Sequence, residues 1–255
     1  EETLAVLEIE YTKGDQFLPD VPPIWVSDEH VPALTNAGIH FLDLPQIFTH
    51  HLAFVLKKYA GDFVGLQETR FLLDNTEQQY GELVKEVQRV IPIPKIAEIL
   101  QRLVQEEVSI RNLRTILQAL IEWGQKEKDT VLLVEYVRSS LKRFISYKYS
   151  GGQNTLAVYL LDTSTEEVIR KSIRQTSGGS FLALEPATTK SFVDQVKNNV
   201  GDVTQSRQQP VLLTSMDVRR YVKKLIELEL PDIPVLSYQE LTQEINIQPL
   251  AKITI

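Results

Sequence analysis

The sequence has no cysteine and is poor in basic residues, with 27 Lys and Arg against 34 Asp and Glu. Without cysteine it can form neither a disulfide framework nor a thiolate metal site. Its net charge of −7 disfavours a nucleic-acid partner, because binding to phosphates requires a basic surface. No apolar run approaches the roughly 20 residues that a helix needs to span a bilayer. The first residues show no initiator methionine and no signal-peptide pattern, so we expect a piece of a longer protein.

Residues typical of catalytic and cofactor-binding sites are also scarce. Of the four histidines, His50 and His51 are adjacent, so a helix would direct them about 100° apart and not towards one metal. The glycine-rich stretch 175–180 lacks the lysine of a phosphate-binding loop, and Phe181, which follows it, is typical of a strand. No GxSxG nucleophile elbow occurs. We therefore expect no enzymatic activity, no cofactor and no metal.

What the sequence does contain is the composition of a folded protein, with 43% hydrophobic and 24% charged residues. Strand and turn signals alternate in the first 45 residues. Leu4, Val6 and Ile9 predict a short strand, and Ser27 predicts the N-cap of a helix that ends near Gly38. This order is typical of a small α/β part.

From residue 46 to residue 143, apolar side chains recur with the period of a helix. An apolar stripe at 96–104 is followed by another at 113–120, and Ser109 is the expected N-cap of the second helix. Asp129 is expected to cap a further helix at 131–144. This segment predicts a small helical bundle.

Beyond a turn at Gly151 and Gly152, short apolar strands alternate with helices. Strands are predicted at 156–161, 181–184, 211–213 and 235–236. Capping boxes are predicted for two pairs, Thr163 with Glu166 and Ser237 with Glu240. This alternation predicts an α/β domain with a largely parallel sheet. The fold class is therefore mixed α+β with several subdomains: a small α/β part, a central helical bundle and a C-terminal α/β domain.

A nucleotide-binding enzyme is the alternative function for such a domain, because ligands bind at the carboxyl ends of parallel strands. The residues at 162–164 follow the first strand and include no glycine for close approach to a phosphate, which counts against this alternative. Asp217, Arg219 and Arg220 lie close together on one predicted helix. We expect them to form a charged surface that faces solvent.

Several longer stretches are distinctive. They are GLQETRFLLD at 65–74 with the helix at 98–120, VIRKSIRQTSGGSFLALEP at 168–186, PVLLTSMDVRRYVKKLIE at 210–227 with LPDIPVLSYQE at 230–240, and the weaker PPIWVS at 22–27. These stretches resemble, in the same order, the FlhA/InvA/MxiA/SctV family of type III secretion export-gate proteins. The resemblance covers nearly the whole chain. The paired basic residues of the third stretch resemble the virulence injectisome branch more than the flagellar one.

The resemblance implies a C-terminal cytoplasmic domain with four subdomains, attached to a membrane part that this sequence lacks. Residues 1–45 would form the second subdomain, and 46–65 a helix that returns to a truncated first subdomain. Residues 66–146 would form the helical third subdomain, and 147–255 the α/β fourth. The full-length protein would lie in the bacterial inner membrane with this part on the cytoplasmic face. The turn at Gly151 and Gly152 would be a candidate hinge.

The resemblance also implies a homo-oligomeric ring, expected to be a nonamer, whose subunits meet through the third subdomain. On this sequence we expect the ring interface at Glu106, Glu107, Arg111 and Arg114. Opposite charges on neighbouring subunits would set their register. The alternative is pairing within one helix, such as Glu107 with Arg111.

Partners are implied as well: chaperone–substrate complexes, a gatekeeper protein and the stalk protein that links the ring to an ATPase. In flagellar relatives, chaperone complexes dock between the first two subdomains. The matching positions here are Phe17 and Leu18 in the proline-rich loop and Thr49 on the returning helix. The implied function is a docking ring that controls entry to the export channel, with no covalent chemistry.

Overall fold

The computed structural model describes residues 2–16, 18, 21–176, 179–200 and 210–255. The chain forms two compact units, Glu1–Phe63 and Val64–Ile255. Each unit has its own buried apolar cluster. Among the described residues, no helix combines the length and the apolarity required to cross a membrane.

The first unit is small and has a small core. Its elements are α1 (Glu2–Val6), β1 (Tyr11–Lys13), β2 (Ile24–Val26), α2 (Val31–Asn36) and α3 (Leu44–Lys58), with 3-10 turns at Asp28–His30 and Ala60–Phe63. β1 and β2 pair antiparallel. The core contains Leu4, Ile9 and Leu34.

Two local predictions for the first unit are wrong. The strand expected at Leu4, Val6 and Ile9 is instead α1 and a turn, because the chain folds back so that the Ile9 amide donates to the Leu4 carbonyl at 3.0 Å. Ser27 makes no side-chain cap, since a 3-10 turn precedes α2. The helix end near Gly38 is confirmed: Gly38 has a φ of +67°, the left-handed conformation that favours glycine.

The second unit begins with a helical part. Its helices are α4 (Leu66–Val90), α5 (Ile93–Gln105), α6 (Leu113–Gly124), α7 (Thr130–Ser140) and α8 (Lys142–Ser150). The apolar stripe predicted for α5 is confirmed, since Ile96, Ile99, Leu100 and Leu103 are fully buried. Asp129 caps α7 as predicted, and its side chain accepts a bond from the Val131 amide at 2.8 Å.

The N-cap predicted at Ser109 is wrong. Helix α6 begins only at Leu113, and the Asn112 side chain caps it by accepting a bond from the Thr115 amide at 3.3 Å. The helical stretch at 98–120 is therefore interrupted between α5 and α6. The interruption, residues 106–112, is named the 106–112 connection below.

The α/β part follows α8 directly. Its strands are β3 (Thr155–Leu161), β4 (Ile173–Thr176), β5 (Gly179–Leu182), β6 (Val211–Thr214), β7 (Val235–Ser237) and β8 (Asn246–Ile253). Its helices are α9 (Thr163–Ser172), α10 (Pro186–Val200) and α11 (Met216–Ile226). β3, β6, β7 and β8 form one sheet in the order β7-β6-β3-β8, and all neighbours are parallel.

The parallel sheet confirms the predicted α/β class, but one of its strands differs from the prediction. The strand expected at 181–184 is β5, which pairs antiparallel with β4 in a separate hairpin. Its side chains alternate between exposed and half-buried, whereas every residue of the central strand β6 is buried. The fourth strand of the sheet is instead β8, which lies beside β3.

Both faces of the parallel sheet are covered. Leu156 and Val158 on one face of β3 belong to the same apolar core as the helices of the helical part. Tyr159 and Leu161 face a second core that α9, α10 and α11 complete. The helical part and the sheet therefore share one continuous core within the second unit.

Candidate functional site

Helix α3 of the first unit carries an exposed apolar surface. Leu44, Phe48, Leu52 and Leu56 recur at four-residue intervals, so they lie along one face of the helix, here named the α3 stripe. Their exposed fractions are 61%, 71%, 58% and 45%. A capping box fixes the start of this helix, because Asp43 and Gln46 each accept a bond from the other's amide. An apolar stripe of this kind is typical of a surface that another chain segment or a partner covers.

The three predicted partner-binding residues have different surroundings. Phe17 lies outside the described residues. Leu18 is only 4% exposed, so its side chain belongs to the interior of the first unit. Thr49 is exposed on α3 beside Phe48, and its hydroxyl donates to the Pro45 carbonyl at 2.8 Å. A partner-binding role for any of the three stays a prediction.

The 106–112 connection of the second unit begins with a tight turn. The Val108 amide donates to the Leu103 carbonyl at 2.8 Å, and the Glu107 amide donates to the Val104 carbonyl at 2.9 Å. Leu103 and Val108 are both buried. These bonds form a Schellman turn that ends α5. Glu107 is in the left-handed conformation, with a φ of +57°, which glycine would adopt more easily.

The predicted ring-interface residues lie at or beside this connection. Lys148 of α8 donates to the Glu107 carbonyl at 2.9 Å and to its carboxylate at 3.3 Å. Arg111 is exposed, and the guanidinium of Arg114 lies 5.2 Å from the centre of the Tyr80 ring. Thus Glu107 and Arg114 each have a contact with another helix of the same chain.

Glu106 differs from its neighbours, because its carboxylate points into the second unit. It accepts bonds from Arg138 of α7 at 2.9 Å and from Arg219 of α11 at 2.5 and 3.1 Å. Its side chain is 26% exposed, whereas those of Arg138 and Arg219 are 2% and 1% exposed. Glu106 therefore has an intramolecular role, and its place in a ring interface stays a prediction.

Two further buried carboxylates complete this group. Glu135 accepts two bonds from Arg219, both at 2.5 Å, and Glu240 accepts two from Arg138, at 2.7 and 3.1 Å. We name these five residues the buried ion network. It joins the start of the 106–112 connection, α7 and α11 to the turn that follows β7.

Electrostatics within the buried ion network favour the charged forms of Glu106, Arg138 and Arg219, whereas burial raises the pKa of Glu135. Burial alone would raise the pKa of Glu106, but the guanidinium groups of Arg219 and Arg138 outweigh it and lower that pKa to about 2. Burial disfavours the charge of Arg219, yet Glu106 and Glu135 raise its pKa well above the ordinary value. Charged side chains are almost never fully buried unless they are paired, and here they are.

Only part of this network was predictable from the sequence. One bond supports the predicted capping box of Ser237 and Glu240: the Ser237 amide donates to the Glu240 carboxylate at 3.3 Å. The prediction that Arg219 faces solvent is wrong, because Arg219 is fully buried. Its partners come from helices far away in sequence, so no local pattern identifies them.

The carboxyl ends of β3 and β6 carry two anionic side chains. Glu166 accepts bonds from the Thr214 hydroxyl at 2.7 Å and from the amide and hydroxyl of Ser215 at 2.7 and 2.6 Å. The predicted capping box of Thr163 with Glu166 is therefore wrong. The side chain of Asp162 caps α9, and the carboxylate of Glu166 instead binds Ser215 at the N-terminus of α11. A nucleotide phosphate at this edge would meet two carboxylates instead of free amides.

A shallow polar pocket of about 60 Å³ adjoins the buried ion network. Its lining includes Glu106, Glu107, Arg138, Tyr149 and Lys223. Burial raises the pKa of the Tyr149 hydroxyl to about 12. Among the described residues, no group of His, Cys, Asp and Glu could hold a metal ion.

Comparison with known sequences gives consistent results over the whole chain. The model of the FHIPEP family matches residues 2–246. The low calcium response locus protein D of Yersinia pestis is 57% identical over 98% of this chain, which covers 36% of that relative. The invasion protein InvA of Salmonella typhimurium is 38% identical over 90% of this chain and 33% of its own length. The chain thus spans about a third of the length of these curated relatives.

Solved structures agree. The Chlamydia pneumoniae CdsV protein has a TM-score of 0.85 and 46% identity, over 100% of this chain and 73% of that one. CdsV in complex with CdsO has a TM-score of 0.88 and 46% identity, over 99% of this chain and 73% of that one. The nonameric SctV-C of EPEC has a TM-score of 0.81 and 39% identity, over 96% of this chain and 74% of that one. The chain therefore belongs to the FHIPEP family.

Proposed function

We propose that this chain is the cytoplasm-facing part of a type III secretion export gate and that it forms a docking ring for secretion partners. The observation that carries this proposal is its likeness, over 96% of the chain, to a relative that is a nonamer. The full-length protein would lie in the bacterial inner membrane. Docking and gating require no covalent chemistry, so the proposed role is not enzymatic.

The ring interface is proposed at the 106–112 connection and the start of α6. Glu107, Arg111 and Arg114 present charges of both signs at this surface, and such charges would set the register between neighbouring subunits. A closed ring requires a head-to-tail contact between two different patches, so opposite charges on the two sides suit it. Glu106 would support this surface from inside.

Partner docking is proposed on the first unit and elsewhere on the ring. The relative CdsV is described in a complex with CdsO, which supports a partner-binding role for this chain. We propose an ATPase-stalk protein, chaperone–substrate complexes and a gatekeeper protein as partners. For chaperone complexes the proposed site includes Phe17, Leu18 and Thr49. Thr49→Met should weaken this docking and leave the circular dichroism spectrum unchanged.

Native mass, measured by light scattering over a concentration series, tests the ring proposal. The wild type is expected to grow towards a closed ring, and Glu107→Arg is expected to weaken this growth because it reverses the charge at the proposed interface. Glu167→Arg, the same charge change at an exposed residue of α9, is the matched control. A wild type that stays monomeric at high concentration would contradict ring formation by this chain. Equal effects of both variants would contradict the interface assignment.

A further inference from the structure

The 106–112 connection is held at its start by side chains from distant parts of the second unit. Arg138 and Arg219 bind the carboxylate of Glu106, and Lys148 binds both the carbonyl and the carboxylate of Glu107. Arg219 is 113 positions from Glu106 in the sequence. Side chains from three helices thus bind two consecutive residues.

The backbone at this point needs such support. Glu107 adopts the left-handed conformation, which is unfavourable for a residue other than glycine. The connection that follows has no regular helical or strand structure until α6 begins at Leu113. Side-chain bonds to Glu106 and Glu107 are therefore well placed to fix its conformation.

We propose that Arg219 and Arg138 fix the conformation of the 106–112 connection through Glu106, so that α11 of the α/β part controls the surface that carries Glu107 and Arg111. An effect of α11 on subunit assembly would rest on the proposed ring. The effect of Arg219 and Arg138 on the conformation of the connection does not depend on the ring. In a ring, any displacement of α11 would then be transmitted to the subunit interface.

Glu106 is the member of the buried ion network that can be neutralised selectively. Arg138 keeps Glu240, and Arg219 keeps Glu135, each with two bonds. Glu106→Gln therefore leaves two complete, neutral ion pairs in the interior. Because the Glu106 side chain is 26% exposed, water can reach the substituted amide. The variant should fold, unlike a variant that leaves a buried charge without its partner.

Hydrogen exchange followed by mass spectrometry tests the proposal on the complete chain at low concentration. In Glu106→Gln, amides of the 106–112 connection are expected to exchange about tenfold faster, which corresponds to a local opening that is about 1.4 kcal/mol easier. Amides of β3 and β6 exchange only when the whole unit unfolds, so they are expected to accelerate by no more than this factor. The matched control is Glu98→Gln, which removes the exposed pair with Arg102 on the same α5.

Two results would overturn the proposal. One is an unchanged exchange rate at the 106–112 connection in Glu106→Gln. The other is an equal acceleration at the connection in Glu98→Gln, which would mean that loss of any carboxylate of this region, and not the bonds to Arg138 and Arg219, loosens the connection. Light scattering over the concentration series separates this from the ring proposal: a wild type that stays monomeric at high concentration contradicts the ring, while the exchange comparison still decides the role of Glu106.

Discussion

Arg138 and Glu240 are 102 positions apart in the chain, yet their side chains face each other through two bonds of 2.7 and 3.1 Å in the interior. Their exposed fractions are 2% and 0%. This pair joins α7 of the helical part to the turn that follows β7 in the α/β part. Removing one partner should therefore destabilise the unit more than removing both.

Arg138→Met should lower the free energy of unfolding by about 3–5 kcal/mol, because it leaves buried carboxylates with fewer cationic partners. Arg138→Met with Glu240→Leu should recover part of this loss, since it removes one unpaired charge. Arg89→Met, which breaks an exposed pair with Glu86, should change stability by less than about 1 kcal/mol. Chemical denaturation measures all three. Equal losses in the single and the double variant would contradict the prediction.

Acid should weaken the buried ion network within a defined pH range. The pKa of Glu106 is about 2 in the folded protein and 4.5 ordinarily, so its ion pairs contribute fully above pH 4.5. This contribution should be lost as pH falls from 4.5 towards 2. The difference in unfolding free energy between wild type and Glu106→Gln should therefore shrink over this range. A difference independent of pH would show that ionisation of Glu106 is not its source.

Glu107→Gly should stabilise the second unit by roughly 0.5–1 kcal/mol, because glycine adopts the left-handed conformation at little cost. The variant also loses the ion pair between Glu107 and Lys148. These side chains are 44% and 29% exposed, and a pair so exposed contributes little to the free energy of unfolding. Glu107→Ala is the control, since it loses the pair without gaining the backbone freedom. Thermal unfolding measures both, and a lower melting temperature for glycine than for alanine would count against this explanation.

The α3 stripe should bind apolar probes. Phe48→Ser with Leu52→Ser should reduce the fluorescence of a hydrophobic dye, because these side chains are 71% and 58% exposed. Leu228→Ser removes a single apolar side chain that is 89% exposed outside the stripe, and it should change the signal much less. If both variants reduce the signal equally, the stripe is not the main site of dye binding.

Much of the fold follows from local patterns, but its long-range parts do not. The apolar stripe of α5 and the apolar run of β6 each lie within one short segment of the sequence, so the periodicity of the first and the apolarity of the second predict them. β8 was missed because it contains Pro249 and a register shift against Val158 and Tyr159, which disturb the alternation of a strand. A parallel strand also has no turn to its neighbour that a local pattern could reveal.

The candidate site was less predictable for the same reason. Arg219 stands beside Arg220 and near Asp217, so its surroundings in sequence are those of a surface helix. Its partners, Glu106 and Glu135, lie 113 and 84 positions away. Burial of a charge depends on such distant partners, and a single sequence does not contain their geometry. The end of α5 was similarly hidden, because Glu107 stands where glycine is typical.

The apolar core that runs from α5 to β6 has a consequence for how the second unit unfolds. Gly151 ends α8 with a φ of +61°, and β3 begins a few residues later. The sequence pattern therefore changes at this turn from the helical part to the α/β part. Separating the helical part from the sheet there would expose Leu156, Val158 and the α5 stripe to water together. The second unit should therefore melt in a single cooperative transition, and neither half should be stable when expressed alone.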